Sequence, residues 1–361
     1  MTHLQFSDVV WYALAFLTAL GLVLFVTPLT IQIANAFRIQ DTPDGRLKKH
    51  TRTTPYLGGL AVAAGFVIAF SLLSTPSTLD YRGLGILAGG FMMVLLGLYD
   101  DLVNLRPSVK FLGQLLAAVV LYKAGVSVQL VALDWWGNLA LTVLWITGVT
   151  NAFNIIDVMD GLASGVACIA ALFLFLISAL SGQDPLVPFL AITLAGALVG
   201  FLRFNVMPAR IFLGDTGSLF IGFMMAAMSM LVSYSGHNRF AVLTPVVLLA
   251  VPIFDTVFVA FHRARRGIPF FRGSPDHFAL RVSHAGAGVR RTVLGTWRAC
   301  LLLGVVALLM VFGPHALVPW LLGATAVCAA IAFVVLSRMP PPGRSPSPAR
   351  PARMRTPVRR G

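Results

Sequence analysis

LGILAGGFMMVLLGLYDD, residues 84–101, is an apolar run that ends in two adjacent aspartates, Asp100 and Asp101. A run of this length and hydropathy predicts a helix that crosses a lipid bilayer. Two neighbouring carboxylates repel each other, and hydrocarbon beside them would penalise both charges. The pair therefore predicts a site at the helix end, where a cation meets the two acids.

The rest of the chain is similarly apolar. Of its 361 residues, 58% are hydrophobic and 11% are charged, and the mean hydropathy is +0.86. Soluble domains carry about a quarter charged residues, so this composition predicts an all-α, polytopic integral membrane protein. The predicted transmembrane helices number about 11 and cover residues 9–33, 57–75, 83–99, 109–124, 138–156, 161–181, 185–204, 216–235, 240–261, 294–313 and 316–337.

The positive charges predict the orientation in the membrane. With the N-terminus outside, all Lys and Arg residues except Arg82, Lys123 and Arg239 fall on the inner side. This asymmetry is typical of membrane proteins, and an odd number of spans then places the C-terminus in the cytosol. The net charge of +14 therefore indicates a basic cytosolic face that contacts anionic membrane lipids. It does not indicate a nucleic-acid partner, because no basic domain is interleaved with aromatic residues.

The acidic residues are confined to Asp, since the chain contains no Glu. The nine that fall on or near the cytosolic side are Asp41, Asp44, Asp100, Asp101, Asp157, Asp160, Asp215, Asp255 and Asp276. Ionisable groups at membrane depth are costly and are usually functional. We therefore predict one transmembrane domain, residues 1–338, whose site lies among the cytosolic loops 38–56, 100–109, 205–215 and 262–293. A basic, Pro- and Arg-rich tail, residues 339–361, is expected to be disordered.

A second polar group lies in NAFNIIDVMDGLASG, residues 151–165. Asn151, Asn154, Asp157 and Asp160 recur every third residue, so neighbouring pairs are expected to share a helix face. This stripe predicts an oxygen-rich wall at the cytosolic end of a span. Hydrogen bonding between helices is the alternative, and it accounts for the asparagines better than for the aspartates.

A third group, RFNVMPARIFLGDTGSLFIGF, covers residues 203–223 and places Asp215 directly before the eighth span. Small residues flank this acid, so backbone amides could approach a ligand, and a helix N-terminus favours an anion. The alternative is that Asp215 is simply the N-cap of the eighth helix.

The fourth region is the Arg-rich inner connection, residues 262–293, which contains SPDHFALRVSHAGAG. Its candidate residues are Asp276, His277, Arg281 and His284. A basic loop that faces an acidic membrane edge fits a polyanion held between the two. For Arg263, Arg265 and Arg266, a positive-inside signal is the better interpretation.

Carboxylates and amides gathered from several helix ends predict a site for a hard divalent cation. Mg²⁺ typically binds one or two carboxylates together with substrate phosphates. Such a cation would neutralise the repulsion between the adjacent acids, and phosphoryl transfer uses these same parts. The chain has no Walker A sequence, so a P-loop enzyme is excluded.

Together these motifs carry a resemblance. The set DTPDGRLKKHTRTTPYLGG (41–59), GLYDDLVNLRPSVKFLGQ (97–114), NAFNIIDVMDGLASG (151–165) and FNVMPARIFLGDTGSLFIGF (204–223) resembles the polyprenyl-phosphate N-acetylhexosamine-1-phosphate transferases. These are integral membrane enzymes related to the phospho-N-acetylmuramoyl-pentapeptide transferases. Eleven spans agree with the hexosamine-phosphate branch of the family.

The resemblance implies an activity. A UDP-N-acetylhexosamine, with N-acetylglucosamine as the preferred sugar, would react with polyprenyl (undecaprenyl) phosphate to give the polyprenyl-diphospho-sugar and UMP. This is the first membrane step of lipid-linked cell-envelope glycan synthesis, and it takes place on the cytosolic face of the inner membrane. It requires Mg²⁺, with Mn²⁺ as the alternative metal. A homodimer is left open.

The resemblance also implies roles for individual residues. Asp215 would be the principal metal ligand with Asp101 as a second, and Asp100 would be the base that prepares the lipid phosphate. The catalytic set is Asp100, Asp101, Asp157 and His277. The substrate-binding set is Asn154, Asp160, Asn205, Phe212, Lys110, Arg52 and Arg281; Phe212 would stack on uracil, and Lys110 would contact phosphate.

Two departures from the family pattern concern the third motif and the inner loop. Val158 follows Asp157 where the family usually has Gly. Ala279 and Leu280 stand where further histidines are expected between His277 and Arg281. The Asp-based metal core is unaffected by either departure, whereas the altered loop leaves the sugar undetermined.

Two other functions stay open from the sequence, and a third is disfavoured. The muramoyl-pentapeptide transferase is the alternative within the same reaction class. A cation-coupled transporter would use intramembrane acids such as Asp255, although the acids cluster at one membrane edge and no inverted repeat is evident. A CDP-alcohol phosphotransferase lacks support, since its expected spacing is absent after Asp160.

Overall fold

The computed structural model describes residues 5–41, 53–75, 78–130, 132–182, 184–232, 234, 239–269 and 274–341. The helices in these residues are α1 Phe6–Ala36, α2 Gly58–Leu73, α3 Tyr81–Val103, α4 Pro107–Lys123, α5 Trp135–Ile156, α6 Leu162–Ser181, α7 Leu186–Asn205, α8 Gly214–Leu231, α9 Thr244–Leu248, α10 Ala250–Arg265, α11 Phe278–Val282, α12 Gly288–Phe312 and α13 Val318–Arg338. Two short antiparallel strands, β1 Gln40–Asp41 and β2 Thr54–Pro55, pair with each other.

The prediction of an all-α, polytopic membrane protein is confirmed. Among the described residues, eight helices are long and apolar enough to cross a bilayer, and a bent helix pair would make a ninth. Each predicted segment overlaps helix in the part of the chain that the structure describes, while the number of eleven spans stays a prediction. Apolar length predicts helices this well because a helix satisfies its own backbone hydrogen bonds in lipid.

The predicted ninth span, residues 240–261, is broken. Its N-terminal part is a 3-10 turn, Arg239–Leu243, followed by α9, and α10 leaves at an angle of 67°. Pro252 lies in the first turn of α10. Its ring nitrogen cannot donate a hydrogen bond to the preceding turn, which explains why the helix restarts here.

Helix α8 lies at the centre of the bundle and packs against α2, α3, α5, α6 and α7. Glycines allow two of these helices to approach closely. A Cβ at Gly97 of α3 would lie 2.5 Å from backbone atoms of Asp215 and Thr216, and a Cβ at Gly59 of α2 would lie 2.0 Å from the backbone of Gly217. Contacts between small residues are the usual means of close helix packing in membranes. The end of α3 is thereby held against the start of α8.

The periphery is built from longer helices with exposed apolar faces. α1 packs against α2 and α7, and α12 packs against α6 and α9. In α13 only Val318 is buried, and Phe333 contacts Phe254 and Phe258 of α10. Large apolar side chains such as Trp320, 78% exposed, point away from the bundle, as expected for a lipid-facing helix.

Candidate active site

The site is built where four helix ends meet: the end of α3, the start of α4, the end of α5 and the start of α8. The Nζ atom of Lys110 contacts the carboxylate of Asp100 and lies 2.7 Å from Oδ2 of Asp215. Nδ2 of Asn154 donates to the other oxygen of Asp215 at 2.6 Å. We call Asp100, Lys110, Asn154 and Asp215 the carboxylate cluster. The structure therefore brings together four of the residues that the sequence nominated from three separate motifs.

The turn between α3 and α4 places Lys110 within reach. Asn104 ends α3 in the left-handed conformation, at a φ of 55°, and Pro107 begins α4. Oδ1 of Asp100 accepts a hydrogen bond from the backbone N–H of Leu105 at 2.6 Å, while Oδ2 faces Lys110. Asp100 thus holds the turn with one oxygen and the ammonium group with the other.

Asp101 has different partners from its neighbour. Its Oδ1 accepts a hydrogen bond from the Asp215 amide at 2.8 Å, and its Oδ2 accepts from the Thr216 amide at 3.0 Å and the Thr216 hydroxyl at 2.6 Å. The carboxylate from α3 therefore caps the free amides at the start of α8. An anion was expected at this helix N-terminus, and the structure places the carboxylate of Asp101 there. The alternative that Asp215 is the N-cap is wrong, because Asp215 is the second helical residue.

The polar stripe of residues 151–160 is divided by the end of α5 at Ile156. Asn151 pairs with Gln114 of α4, and Asn154 donates to Asp215 and, at 2.9 Å, to the hydroxyl of Ser218. Hydrogen bonding between helices is thus the correct interpretation for Asn151. The prediction that Asp157 and Asp160 share this helix face is wrong, because they follow the end of the helix.

Asp157 and Asp160 lie in the turn between α5 and α6. Withdrawal from water raises the pKa of Asp157 to about 8, and the negative charges of Asp215, Asp101 and Asp160 add to the effect. A carboxyl group with this pKa can hold or release a proton near neutral pH. Oδ2 of Asp160 accepts a hydrogen bond from the Ala209 amide at 2.9 Å, which ties this turn to the segment before α8.

Asn205 is buried and all of its polar atoms have partners inside the protein. Its Oδ1 accepts from the Gly161 amide and the Ser164 hydroxyl, and its Nδ2 donates to the Ile211 carbonyl. Phe212 is half-buried, and its backbone joins residues 55 and 58 through two hydrogen bonds. Both residues therefore support the segment that leads into α8.

The inner connection of residues 262–293 is mostly helical where it is described. Nδ1 of His277 lies 2.8 Å from Oδ2 of Asp255, and Oδ1 of Asp255 accepts a hydrogen bond from the Phe278 amide at 3.0 Å. Asp255 is fully buried. These contacts favour a structural role in which Asp255 orients His277.

Arg281 is 2% exposed, and its guanidinium makes contacts away from the carboxylate cluster. It donates to Asp276 at 3.0 Å and to the Met339 carbonyl, just after α13, at 2.9 Å. It therefore ties the inner connection to the end of α13. Arg52 lies outside the described residues.

Ser218 and Gln114 are among the polar residues of the site that the sequence did not nominate. Ser218 accepts a hydrogen bond from Asn154, and Gln114 pairs with Asn151. A signal for Gln114 is present in the sequence, since it lies four residues after Lys110 and so on the same face of an apolar helix.

The arrangement can accommodate a divalent cation. Among the residues described, no group of three or more His, Cys, Asp or Glu side chains could hold a metal by itself. Two carboxylates, Asp100 and Asp215, nevertheless converge on one cationic group, the Lys110 ammonium. This donor set fits Mg²⁺, which commonly completes its coordination with substrate phosphates and water.

Fold and site together define a polytopic membrane protein in which carboxylates, an amide and one ammonium group converge at one end of the helix bundle. The sequence model of glycosyl transferase family 4 matches residues 83–233. A probable undecaprenyl-phosphate N-acetylglucosaminyl 1-phosphate transferase of Bacillus subtilis is 36% identical over 288 residues, 78% of this chain and 79% of the relative. The chain belongs to glycosyl transferase family 4, and the predicted resemblance is confirmed.

Two further relatives represent both branches of the family. The decaprenyl-phosphate N-acetylglucosaminephosphotransferase of Mycobacterium leprae is 32% identical over 317 residues, which cover 78% of this chain and 79% of the relative. The phospho-N-acetylmuramoyl-pentapeptide-transferase of Heliobacterium modesticaldum is 32% identical over 335 residues, which cover 84% of this chain and 98% of the relative.

Proposed function

We propose that this protein transfers N-acetylhexosamine-1-phosphate, with N-acetylglucosamine as the sugar, from its UDP-linked form to polyprenyl phosphate and releases UMP. The observation that carries the proposal is the convergence of Asp100 and Asp215 on the Lys110 ammonium, at the edge of an apolar bundle. The names of the relatives from Bacillus subtilis and Mycobacterium leprae support the choice of acceptor and sugar.

Mg²⁺ is the proposed metal, with Mn²⁺ as an alternative, and Asp215 and Asp100 are the proposed carboxylates that hold it. When bound, the cation would neutralise these acids and the charge of the UDP diphosphate. Asp101 was predicted to be the second ligand. We propose instead that it positions Asp215, because its oxygens accept three hydrogen bonds from the start of α8.

The proposed reaction is a direct displacement. An oxygen of the lipid phosphate attacks the phosphorus that carries the sugar, and the bond from that phosphorus to the UMP oxygen breaks. In the proposed topology Asp100 lies at the cytosolic edge of the membrane, and the carboxylate oxygen of Asp100 that does not hold the cation would accept the remaining proton of the lipid phosphate. Lys110 leaves one of its carboxylates and donates to a phosphate oxygen. No covalent Asp intermediate is needed, because the phosphate anion is already a nucleophile.

The remaining nominated residues are proposed to serve the nucleotide and the sugar. Asp157, with its raised pKa, and Asp160 lie in the turn beside the cluster, and Asn154 orients Asp215. Phe212 is proposed to stack on uracil, and Asn205 supports the segment that carries it. His277 is proposed as a catalytic group held by Asp255. Arg52 is also proposed to bind substrate. Arg281, which was predicted to do so, is proposed instead to tie the inner connection to the end of α13, because its guanidinium donates to Asp276 and to the Met339 carbonyl.

The proposed topology has eleven spans. They are the eight long apolar helices, the bent pair α9 and α10, the shorter apolar helix α2, and α4. The N-terminus lies outside and the C-terminus lies in the cytosol, which is supported by the Lys and Arg distribution. The site then faces the cytosol from the inner membrane, within one catalytic domain, residues 1–338.

The test is a panel of donors supplied to purified protein with undecaprenyl phosphate and Mg²⁺, with release of UMP as the readout. UDP-N-acetylglucosamine is expected to react, whereas UDP-N-acetylmuramoyl-pentapeptide, suggested by the Heliobacterium relative, is the competing donor. Asp215→Ala and Asp100→Asn are each expected to abolish turnover without unfolding the protein. Asp134→Asn, at the N-cap of α5 and remote from the cluster, is the matched control. No turnover with any UDP-N-acetylhexosamine would refute the proposal.

A further inference from the structure

A pair of amide side chains joins α4 and α5 one helical turn away from the carboxylate cluster. Nδ2 of Asn151 donates to Oε1 of Gln114 at 2.6 Å, and Nε2 of Gln114 donates back to Oδ1 of Asn151 at 3.3 Å. Asn151 also donates to the Thr147 carbonyl of its own helix at 2.8 Å. Gln114 is only 1% exposed. Both amides are therefore engaged in a closed, reciprocal contact.

The spacing of this pair matches the spacing of the site residues on the same two helices. Gln114 lies four residues after Lys110 on α4, and Asn151 lies three residues before Asn154 on α5. Residues at these separations share a helix face. Lys110 and Asn154 contact opposite oxygens of Asp215, Oδ2 at 2.7 Å and Oδ1 at 2.6 Å. The amide pair thus lies directly behind the two groups that hold Asp215.

The buried face of α4 is small and, apart from Gln114, apolar. Its buried side chains are Gln114, Ala117, Ala118 and Leu121, and of these only Gln114 is polar. Apolar packing tolerates rotation of a helix about its axis, whereas hydrogen bonds are directional. Gln114 is shielded from water, so its hydrogen bonds with Asn151 can specify the rotation of α4.

We propose that the Gln114–Asn151 pair is a positioning device that fixes the rotation of α4 against α5 and thereby sets Lys110 and Asn154 on the two oxygens of Asp215. Neither amide touches the cluster, so both act through the residues one turn away. The kinetic consequence rests on the proposed function, and the geometric consequence for Lys110 does not.

The kinetic test compares Gln114→Leu, Gln114→Asn and the double variant Gln114→Asn with Asn151→Gln. The first two variants should lower kcat/KM for UMP release by about 10- to 100-fold, mainly through kcat, because misplacement by about 1 Å costs this much. The double variant restores the summed length of the two side chains and should recover most of the loss. Asn138→Leu is the matched control, since Asn138 is an amide at the other end of α5 that bonds to the backbone of Leu130 and Leu133.

The geometric test measures how fast each lysine is methylated by formaldehyde and a borohydride, with mass spectrometry of the peptides. Lys110 is 22% exposed on its side chain and ion-paired, and Lys123 on the same helix is exposed and provides an internal reference. The ratio of Lys110 to Lys123 modification should rise several-fold in Gln114→Leu and return toward the native ratio in the double variant. Asn138→Leu should leave the ratio unchanged.

The outcomes separate the two proposals. Native protein that releases no UMP, together with a raised lysine ratio in Gln114→Leu, would refute the proposed function and retain the positioning device. An unchanged lysine ratio in Gln114→Leu would overturn the positioning device. So would a loss of activity that simply follows thermal stability to the same degree in Gln114→Leu and Asn138→Leu.

Discussion

Asp101→Asn tests whether this acid caps α8 or binds metal. In the structure, the carboxylate accepts hydrogen bonds from two backbone amides and one hydroxyl. An asparagine has one acceptor oxygen, so its NH₂ group would face an amide N–H of α8 and could not accept from it. We expect lower stability and a displaced Asp215, because the start of α8 would lose its charged cap.

The expected loss of stability follows from the three hydrogen bonds that the Asp101 carboxylate accepts. Each hydrogen bond to a charged group contributes about 1.5–3 kcal/mol, and each buried amide left without a partner costs about 1–3 kcal/mol. Asp101→Asn keeps part of the network, so we expect a loss of about 2–4 kcal/mol in the free energy of unfolding. Thr216→Val removes only the hydroxyl bond and should cost about 1.5–3 kcal/mol.

The assay combines thermal unfolding in detergent with UMP release across a Mg²⁺ titration. If Asp101 is a cap, both Asp101→Asn and Thr216→Val lower the Tm, and kcat falls with little change in the Mg²⁺ concentration for half-maximal activity. Asp134→Ala is the control for an ordinary N-cap: it should cost about 1 kcal/mol and leave kcat unchanged. If Asp101→Asn has the native Tm but needs a much higher Mg²⁺ concentration for half-maximal activity, Asp101 does not act as a cap of α8. The prediction that it is a metal ligand would then be restored.

Three further predictions concern helix packing and the inner connection. Gly97→Ala should lower the free energy of unfolding by about 1–3 kcal/mol and reduce activity, because the added Cβ would lie 2.5 Å from the α8 backbone. The control is Gly148→Ala, which has open space around it and should be neutral in the same unfolding and UMP assays. Asp255→Asn should lower kcat as much as His277→Ala does, and the double variant should have the same kcat as either single variant. If the two reductions in kcat multiply in the double variant, the orienting role of Asp255 is contradicted. Arg281→Met should lower the Tm at unchanged KM, because its guanidinium binds Asp276 and the end of α13, whereas a raised KM at a native Tm would show that it binds substrate.

Much of the fold could be predicted because the bilayer imposes a simple condition on the backbone. Apolar stretches of sufficient length form helices in a bilayer, and each predicted segment accordingly overlaps helix among the described residues. The break between α9 and α10 was missed, although Pro252 marks it. The inner connection was expected to be a loop because of its charges, and α10 and α11 nevertheless extend into it.

The sequence by itself determined which residues could carry the chemistry. In a chain without Glu and with few charges, polar residues at helix ends are conspicuous, and this identified Asp100, Asn154 and Asp215, to which the family resemblance added Lys110. It could not divide the roles among them. Sequence spacing states which residues share a face of one helix, but it does not state which other helix that face meets.

Only the tertiary structure decided the difference between the two adjacent acids at the end of α3. Successive residues of a helix point about 100° apart, so Asp100 and Asp101 must face different neighbours. The close approach of α3 to α8 at Gly97 directs Asp101 to the amides of α8, and the turn into α4 brings Lys110 to Asp100. The repulsion that their adjacency implies is offset by two separate sets of partners: an ammonium group for one carboxylate and a helix N-terminus for the other.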